Sequence, residues 1–304
     1  MSPDTVYLSI LRDPTTQYES LFTYYRHQQR YGADLKHFIA NPYLYFVKEP
    51  LNTHIVGRNS MLFDLGLDAR HMEVGSTKVN AWIEMLDKKF QLVLIAEYFS
   101  ECLILLKELL CWSMDDIVYL NQNARSAGSV KQITPLMKQG ILKWNSADAK
   151  LYDHFNQTLW KKIEAFGVER MKRAVDVLNS KNALLTADCV QSKLQSGDPR
   201  MWYPPGVKME SFRVNPQAKN KQLCDRVTRP ELTYMKQLAD KQRRRNMYIQ
   251  EKTGIRTRRS VAVGGQGSGP TAGKRKYRKQ QLNLNPYYHK PPPLSNRHRA
   301  MPSL

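Results

Sequence analysis

The chain has 304 residues, 41% of them apolar, and a formal net charge of +20, enough length and apolar material for one large folded domain or two small ones. Sixteen of the 47 basic residues, against a single acid, lie between Lys241 and Leu304, so residues 1–240 carry only about +5. Such a charge ordinarily suggests nucleic acid, an anionic membrane or a polyanionic substrate as partner, but here the basic signal is mostly a tail and not a property of the whole chain.

Residues 1–11 have no basic flank or signal-peptide core and no run of about 18 apolar residues occurs, so the 304 residues as written read as water-soluble. Val6–Leu11 is a short β-rich run with the look of a buried central strand, and meeting it so early suggests that something upstream is missing. Arg12, Asp13 and Pro14 follow, then an amphipathic stretch from Thr15 to about Arg30. Asp13 suits a helix N-cap, and Pro14 the first helical position, where its missing N–H costs nothing. Short helices are predicted over Asp34–Ile39 and Lys78–Lys88.

A second strand–helix unit comes next. Phe90–Ala96 is a continuous apolar run of strand length, and Ser100–Leu110 repeats Leu and Ile at helical spacing. Two such units favour an α/β layer with parallel strands. A third strand is expected before Asn123. Leu151, Phe155, Leu159, Ile163 and Phe166 recur every three or four residues, so Asp148–Asn179 is predicted as one long helix or two, capped by Asn145 or Ser146. Phe155 and Trp160 are expected in the core, as are Tyr24 and Tyr25. A short helix is predicted over Pro230–Arg243. Beyond about Thr253 the chain runs into GGQGSGPTAG, KRKYRK and HKPPPL. Such a composition cannot bury enough surface to offset the entropy of ordering, so residues 253–304 are expected to be a disordered basic tail behind a domain at 1–252.

Cys102, Cys111, Cys189 and Cys224 show no metal-ligand spacing, and no metal is expected. Cys102 and Cys111 read as packed thiols. Cys189 and Cys224 sit in polar, loop-rich surroundings that suit a disulfide in an oxidising compartment, although spacing does not fix the pairing. His27, His37, His54, His71 and His154 lie in no motif and read as surface or packed imidazoles. Glu97 follows the second strand, at the end where α/β ligand sites collect, and is a candidate for facing an acceptor or donor. Asn123 and Arg125, in a later loop, are candidates on the same ground. Asn156-Gln157-Thr158 is an N-glycosylation sequon.

The informative stretch is VYLSILRDPTTQYESLFTYY, residues 6–25. A strand ending in Arg12 and a capped helix bearing Ser20 bring a guanidinium and a hydroxyl near a helix N-terminus, an arrangement that suits a phosphate. This segment resembles the 3′-phosphate-binding element of sulfotransferases that use 3′-phosphoadenosine 5′-phosphosulfate, with Arg12 and Ser20 at the phosphate-binding positions. FQLVLIAEYFSECLILLKELLCWSMDDIVYLNQNAR (90–125), GRNSMLFDLGLD (57–68), WNSADAKLYDHFNQTLWKKIEAFG (144–167) and CDRVTRPELTYMKQL (224–238) resemble further blocks of the galactose-3-O-sulfotransferase family, which includes the cerebroside sulfotransferases.

The resemblance implies an α/β domain with a P-loop-like donor site and parallel strands flanked by helices. It implies sulfate transfer to the 3-hydroxyl of galactose on a glycolipid or glycoprotein glycan, without a metal, on the luminal side of the Golgi membrane. That setting would permit use of the Asn156 sequon. The family's donor loop, a HKT-type run upstream of the RDP segment, and its signal anchor have no counterpart in these 304 residues. The expectation is therefore an N-terminally truncated domain that keeps the grip on the 3′-phosphate, lacks the groups acting on sulfate, and is inactive as it stands. The alternative is a module that binds polyanions through KQRRRN (241–246) and KRKYRK (274–279), with no specific nucleic acid as partner.

Overall fold

A computed structural model describes residues 4–46, 57–73, 75–122, 130–194 and 211–253. Strand β1 (Leu8–Leu11) leads through Asp13 into helix α1 (Pro14–Tyr24), and the Asp13 carboxylate accepts from the backbone N–H groups of Thr15 and Thr16. The predicted cap and first-turn proline are both in place. The helix is shorter than the sequence pattern suggests, because Arg26 takes a left-handed conformation at φ 56°. This turns the chain into α2 (His27–Tyr31), α3 (Leu35–Ala40) and α4 (Pro42–Phe46).

After α5 (Ser60–Asp64), helix α6 (Thr77–Lys89) feeds β2 (Leu92–Ile95), which pairs in parallel with β1 from Leu8↔Leu92 to Leu11↔Ile95. The expected strand–helix units and their parallel pairing are thus formed. All four β2 residues are buried, whereas Leu8 and Ile10 of β1 remain 38% and 52% exposed. The first strand is therefore not the buried central strand its composition suggests. Among the described residues its one neighbour is β2, and its outward face is uncovered.

Helix α7 (Phe99–Leu109) closes with Cys111 N–H donating to Glu108 O and Trp112 N–H to Lys107 O. This is the hydrogen-bond pattern that places a left-handed residue just past a helix end, usually glycine. Here Cys111 occupies it at φ 55° and faces solvent, which corrects its reading as a packed thiol. Cys102 is packed, fully buried, with its thiol pushed up to about 11 by burial. Residues 117–122 form no strand, so the expected third strand is absent there.

Helices α8 (Pro135–Trp144), α9 (Ser146–Phe166) and α10 (Val168–Cys189) follow. The long periodic segment is two helices broken at Gly167, whose φ of 96° suits glycine alone. An antiparallel pair, β3 (Val190–Leu194) with β4 (Ser211–Val214), precedes α11 (Lys221–Val227) and α12 (Glu231–Thr253). The last helix runs ten residues beyond the predicted Arg243. Asn246 begins a second unit, of which residues 246–253 are described. The tail beyond Thr253, with KRKYRK, lies outside the described residues.

The largest core joins the sheet to α6, α7, α9 and α10 through Ile83, Ile95, Ile104, Leu151, Phe155 and Leu178. An aromatic core links α1, α3, α4 and α8 through Tyr18, Phe22, Phe38, Phe46 and Trp144. A third gathers around the Cys189–Cys224 disulfide, which ties the end of α10 to α11. Phe155 is in the core as expected, but Tyr24 and Trp160 are 37% and 40% exposed. Their helices turn other faces inward, and Trp160 packs edge-on against Tyr98. No helix among the described residues is long and apolar enough to cross a membrane.

Candidate functional site

The ends of β1 and β2 lie side by side because the strands are parallel and in register, so the segments leaving them share one edge of the sheet. From β1 emerge Arg12 and Asp13. From β2 emerges a short 3₁₀ turn, Ala96–Tyr98, carrying Glu97. Arg12 is half-buried, and its Nε donates to Thr16 Oγ1 at 3.0 Å. Helix α1 buries Thr15, Tyr18, Glu19 and Phe22 and leaves Thr16 exposed and Ser20 half-buried. Thr16 and Ser20 are four residues apart and share a helix face, with Cβ atoms separated by about 6 Å. Arg12, Thr16 and Ser20 therefore form a polar stripe along the accessible side of α1.

The helix N-terminus is less free than the sequence alone suggests. Thr15 N–H and Thr16 N–H already donate to Asp13 Oδ1, at 2.8 and 3.2 Å. An anion at this stripe must rely on the Arg12 guanidinium and the Ser20 hydroxyl, because the first-turn N–H groups and the Thr16 hydroxyl, which donates to Asp13 O at 3.2 Å, are engaged.

Glu97 is exposed but held. Its Oε1 accepts the Asp13 backbone N–H at 3.0 Å, and its Oε2 accepts the Tyr152 hydroxyl from α9 at 3.3 Å. The Tyr152 phenol is shifted well above its ordinary value, first by burial and then by the negative charges of Glu97 and Asp13. It stays protonated and donates. Three segments far apart in the chain thus converge beside Arg12.

Asn123, Arg125 and His54 lie outside the described residues. Asn156 sits mid-way along α9, half-buried, with its Oδ1 buried and without a partner. Among the histidines, His27 is fully buried, His37 Nδ1 lies 2.8 Å from Asp34, His154 Nε2 lies 3.4 Å from Asp87, and His71 meets Lys78. Among the described residues, these partners of His37, His154 and His71 do not belong to the Arg12–Ser20 stripe. Asp188, Cys189 and Cys224 bring ligand-type atoms together, but both sulfurs are committed to the disulfide.

A second polar cluster, invisible in the sequence pattern, fixes α5 to α9. Asn59 Oδ1 accepts from Ala147 N–H and Asp148 N–H at 3.1 and 3.2 Å, capping α9 from another segment. In return, the Asp148 carboxylate accepts from Met61 N–H and Leu62 N–H at 3.1 and 2.8 Å, capping α5. Asn145 stands at the N-cap of α9, but its side chain turns away to accept from Asn59 N–H at 2.9 Å. Burial pushes the Asp148 carboxyl up to about 7, against the opposing pull of the two N–H groups. This cluster is architectural: it locks two segments whose sequences resemble family blocks.

The sequence profile of galactose-3-O-sulfotransferase matches residues 1–242. Galactosylceramide sulfotransferase of Bos taurus is 34% identical over 254 residues, covering 78% of this chain and 60% of the relative. Galactose-3-O-sulfotransferase 2 of Sus scrofa is 36% identical over 255 residues, covering 80% and 64%. Galactose-3-O-sulfotransferase 3 of Bos taurus is 32% identical over 266 residues, covering 81% and 61%. The chain thus spans about three fifths of the length of these curated relatives. No solved structure matches it. With the profile running across all four described strands, the Arg12–Ser20 stripe and the Asn59–Asp148 cluster, the chain belongs to the galactose-3-O-sulfotransferase family.

Proposed function

We propose that residues 1–252 serve a galactose 3-O-sulfotransferase whose donor is 3′-phosphoadenosine 5′-phosphosulfate. Its acceptor is the 3-hydroxyl of galactose on a glycolipid or glycoprotein glycan. The observation that carries this is the β1–turn–α1 unit, with Arg12 laid along the accessible face that bears Thr16 and Ser20. Arg12 and Ser20 hold the donor's 3′-phosphate, by a charge-assisted bond and a hydroxyl bond respectively. The fold is then the P-loop-like sulfotransferase arrangement, with the nucleotide across the strand ends.

In the transfer, the galactose O3 forms a bond to sulfur as the bond from sulfur to the 5′-phosphate oxygen breaks. The O3 proton passes to a base, and 3′-phosphoadenosine 5′-phosphate leaves. Arg12 and Ser20 act at the ribose phosphate, away from the sulfur, so their share is binding and alignment. The disulfide supports an oxidising, luminal setting of the Golgi kind, where the Asn156 sequon is a candidate for glycosylation.

Calorimetry with 3′-phosphoadenosine 5′-phosphate tests this on the 304-residue chain. Binding that is lost in an Arg12→Ala, Ser20→Ala variant supports the donor site. Equal binding by both proteins rejects it.

A second reading is favoured by one feature, the exposed run Lys241, Arg243, Arg244 and Arg245 on α12. Among the described residues, Arg243 pairs with Asp240 at 3.5 Å. A polyanion would bind this run and the tail by charge, with strong salt dependence. A chain ending at Lys252 should then lose much of its heparin affinity while donor binding survives.

A further inference from the structure

We infer that Glu97 is a positioning residue for donor recognition: its carboxylate clamps the Arg12–Asp13 turn and so sets the direction of the Arg12 guanidinium toward the 3′-phosphate. This rests on the assignment of Arg12 under the proposed function.

The peptide joining Arg12 to Asp13 is planar, so fixing its N–H fixes the plane in which the chain leaves β1 and hence where the Arg12 side chain starts. Glu97 Oε1 takes that N–H at 3.0 Å from the end of the neighbouring strand, 84 residues away in sequence. The same Asp13 turns its own carboxylate onto the first turn of α1. Asp13 is therefore held from two sides, by Glu97 at its backbone and by the helix at its side chain. Arg12 is in turn laid against Thr16. Tyr152 holds the second Glu97 oxygen, which keeps an exposed carboxylate from swinging into solvent.

The consequence is preorganisation. A guanidinium already aimed at its phosphate loses less freedom on binding than one on a free turn, and alignment decides how much of a charge-assisted bond is realised. Glu97 is not required to touch the ligand. Both its oxygens have protein partners, and an anionic carboxylate close to the donor phosphates would oppose binding if it faced them directly.

The test compares two ligands that differ by one group, adenosine 3′,5′-bisphosphate and adenosine 5′-monophosphate, by calorimetry on the full chain. The ratio of their affinities reads the 3′-phosphate alone. Glu97→Ala should lower that ratio about tenfold, the equivalent of one poorly aligned charge-assisted bond. Glu97→Gln should keep it, because the amide oxygen still accepts from Asp13 N–H and the amide nitrogen can donate to the Tyr152 oxygen. In an Arg12→Ala background, Glu97→Ala should lower the ratio no further, since both changes act through one interaction. A merely structural role would weaken both ligands together and leave the ratio unchanged, and that result overturns the inference. A ratio unaffected by Arg12→Ala would instead reject the donor-site assignment itself. If Glu97→Ala does not fold, Glu97→Met on a folded chain serves as the second disrupting variant, neutral and without an oxygen acceptor, with the same expected loss of ratio.

Discussion

Replacing Asn59 probes the lock between α5 and α9. Asn59 is 1% exposed, and its Oδ1 receives two backbone N–H groups at the start of α9. Unmet buried donors cost on the order of 1–3 kcal/mol each, and lost caps about 1 kcal/mol, so roughly 2 kcal/mol is expected for the pair. Asn59 also sits at φ 49°, where a β-carbon other than that of Asn or Asp adds about 1 kcal/mol. Asn59→Ala should therefore cost about 3 kcal/mol and Asn59→Gly about 2 kcal/mol, because glycine removes the backbone part and keeps the loss of the acceptor. Urea unfolding reads this as a lower midpoint at unchanged slope. An alanine variant within about 0.5 kcal/mol of the parent would refute the idea that the cross-segment caps hold these helices together.

Asp148 predicts a pH dependence. Its folded value is raised, by burial first, to about 7 from an ordinary 3.8. The folded state therefore binds the proton more tightly than the unfolded chain. The resulting stability is fully present below about pH 4 and is lost as pH rises through about 7, a span on the order of 4 kcal/mol. Asp148→Asn cannot titrate, so its stability relative to the parent should increase between pH 4 and pH 8, measured by urea titration at each pH. A constant difference would mean that Asp148 is ionised throughout. At the end of α7, Cys111 occupies a left-handed position in open solvent. Cys111→Gly should raise stability by about 1 kcal/mol, and a loss on thermal or urea unfolding would show that the thiol has a packing role there.

Local signals carried well wherever one segment decided its own structure. Asp13 and Pro14 marked the start of α1 because a cap and a proline act on the nearest N–H groups. The apolar runs at 90–96 and 100–110 marked β2 and α7 because a buried strand and an amphipathic helix write their periods into adjacent residues. The family resemblance likewise rested on contiguous blocks. Arg12, Ser20 and Glu97 were all legible as candidates, from their places just after a strand or along a capped helix.

What the sequence could not carry was any choice made between distant segments. That Glu97 holds the Asp13 N–H, that Asn59 and Asp148 cap each other's helices, and that Cys189 joins Cys224 each depends on which elements the fold brings together. Each of those links spans between 35 and 89 residues. The outward faces of Tyr24, Trp160 and Ile10 were misjudged for the same reason. Composition states that a residue prefers burial, but only the packing of other elements decides whether anything covers it. From its sequence the chain could be recognised as a galactose-3-O-sulfotransferase relative with a candidate phosphate-binding turn at Arg12. How that turn is held was decided by the register of two parallel strands, which puts the ends of β1 and β2 within one hydrogen bond of each other.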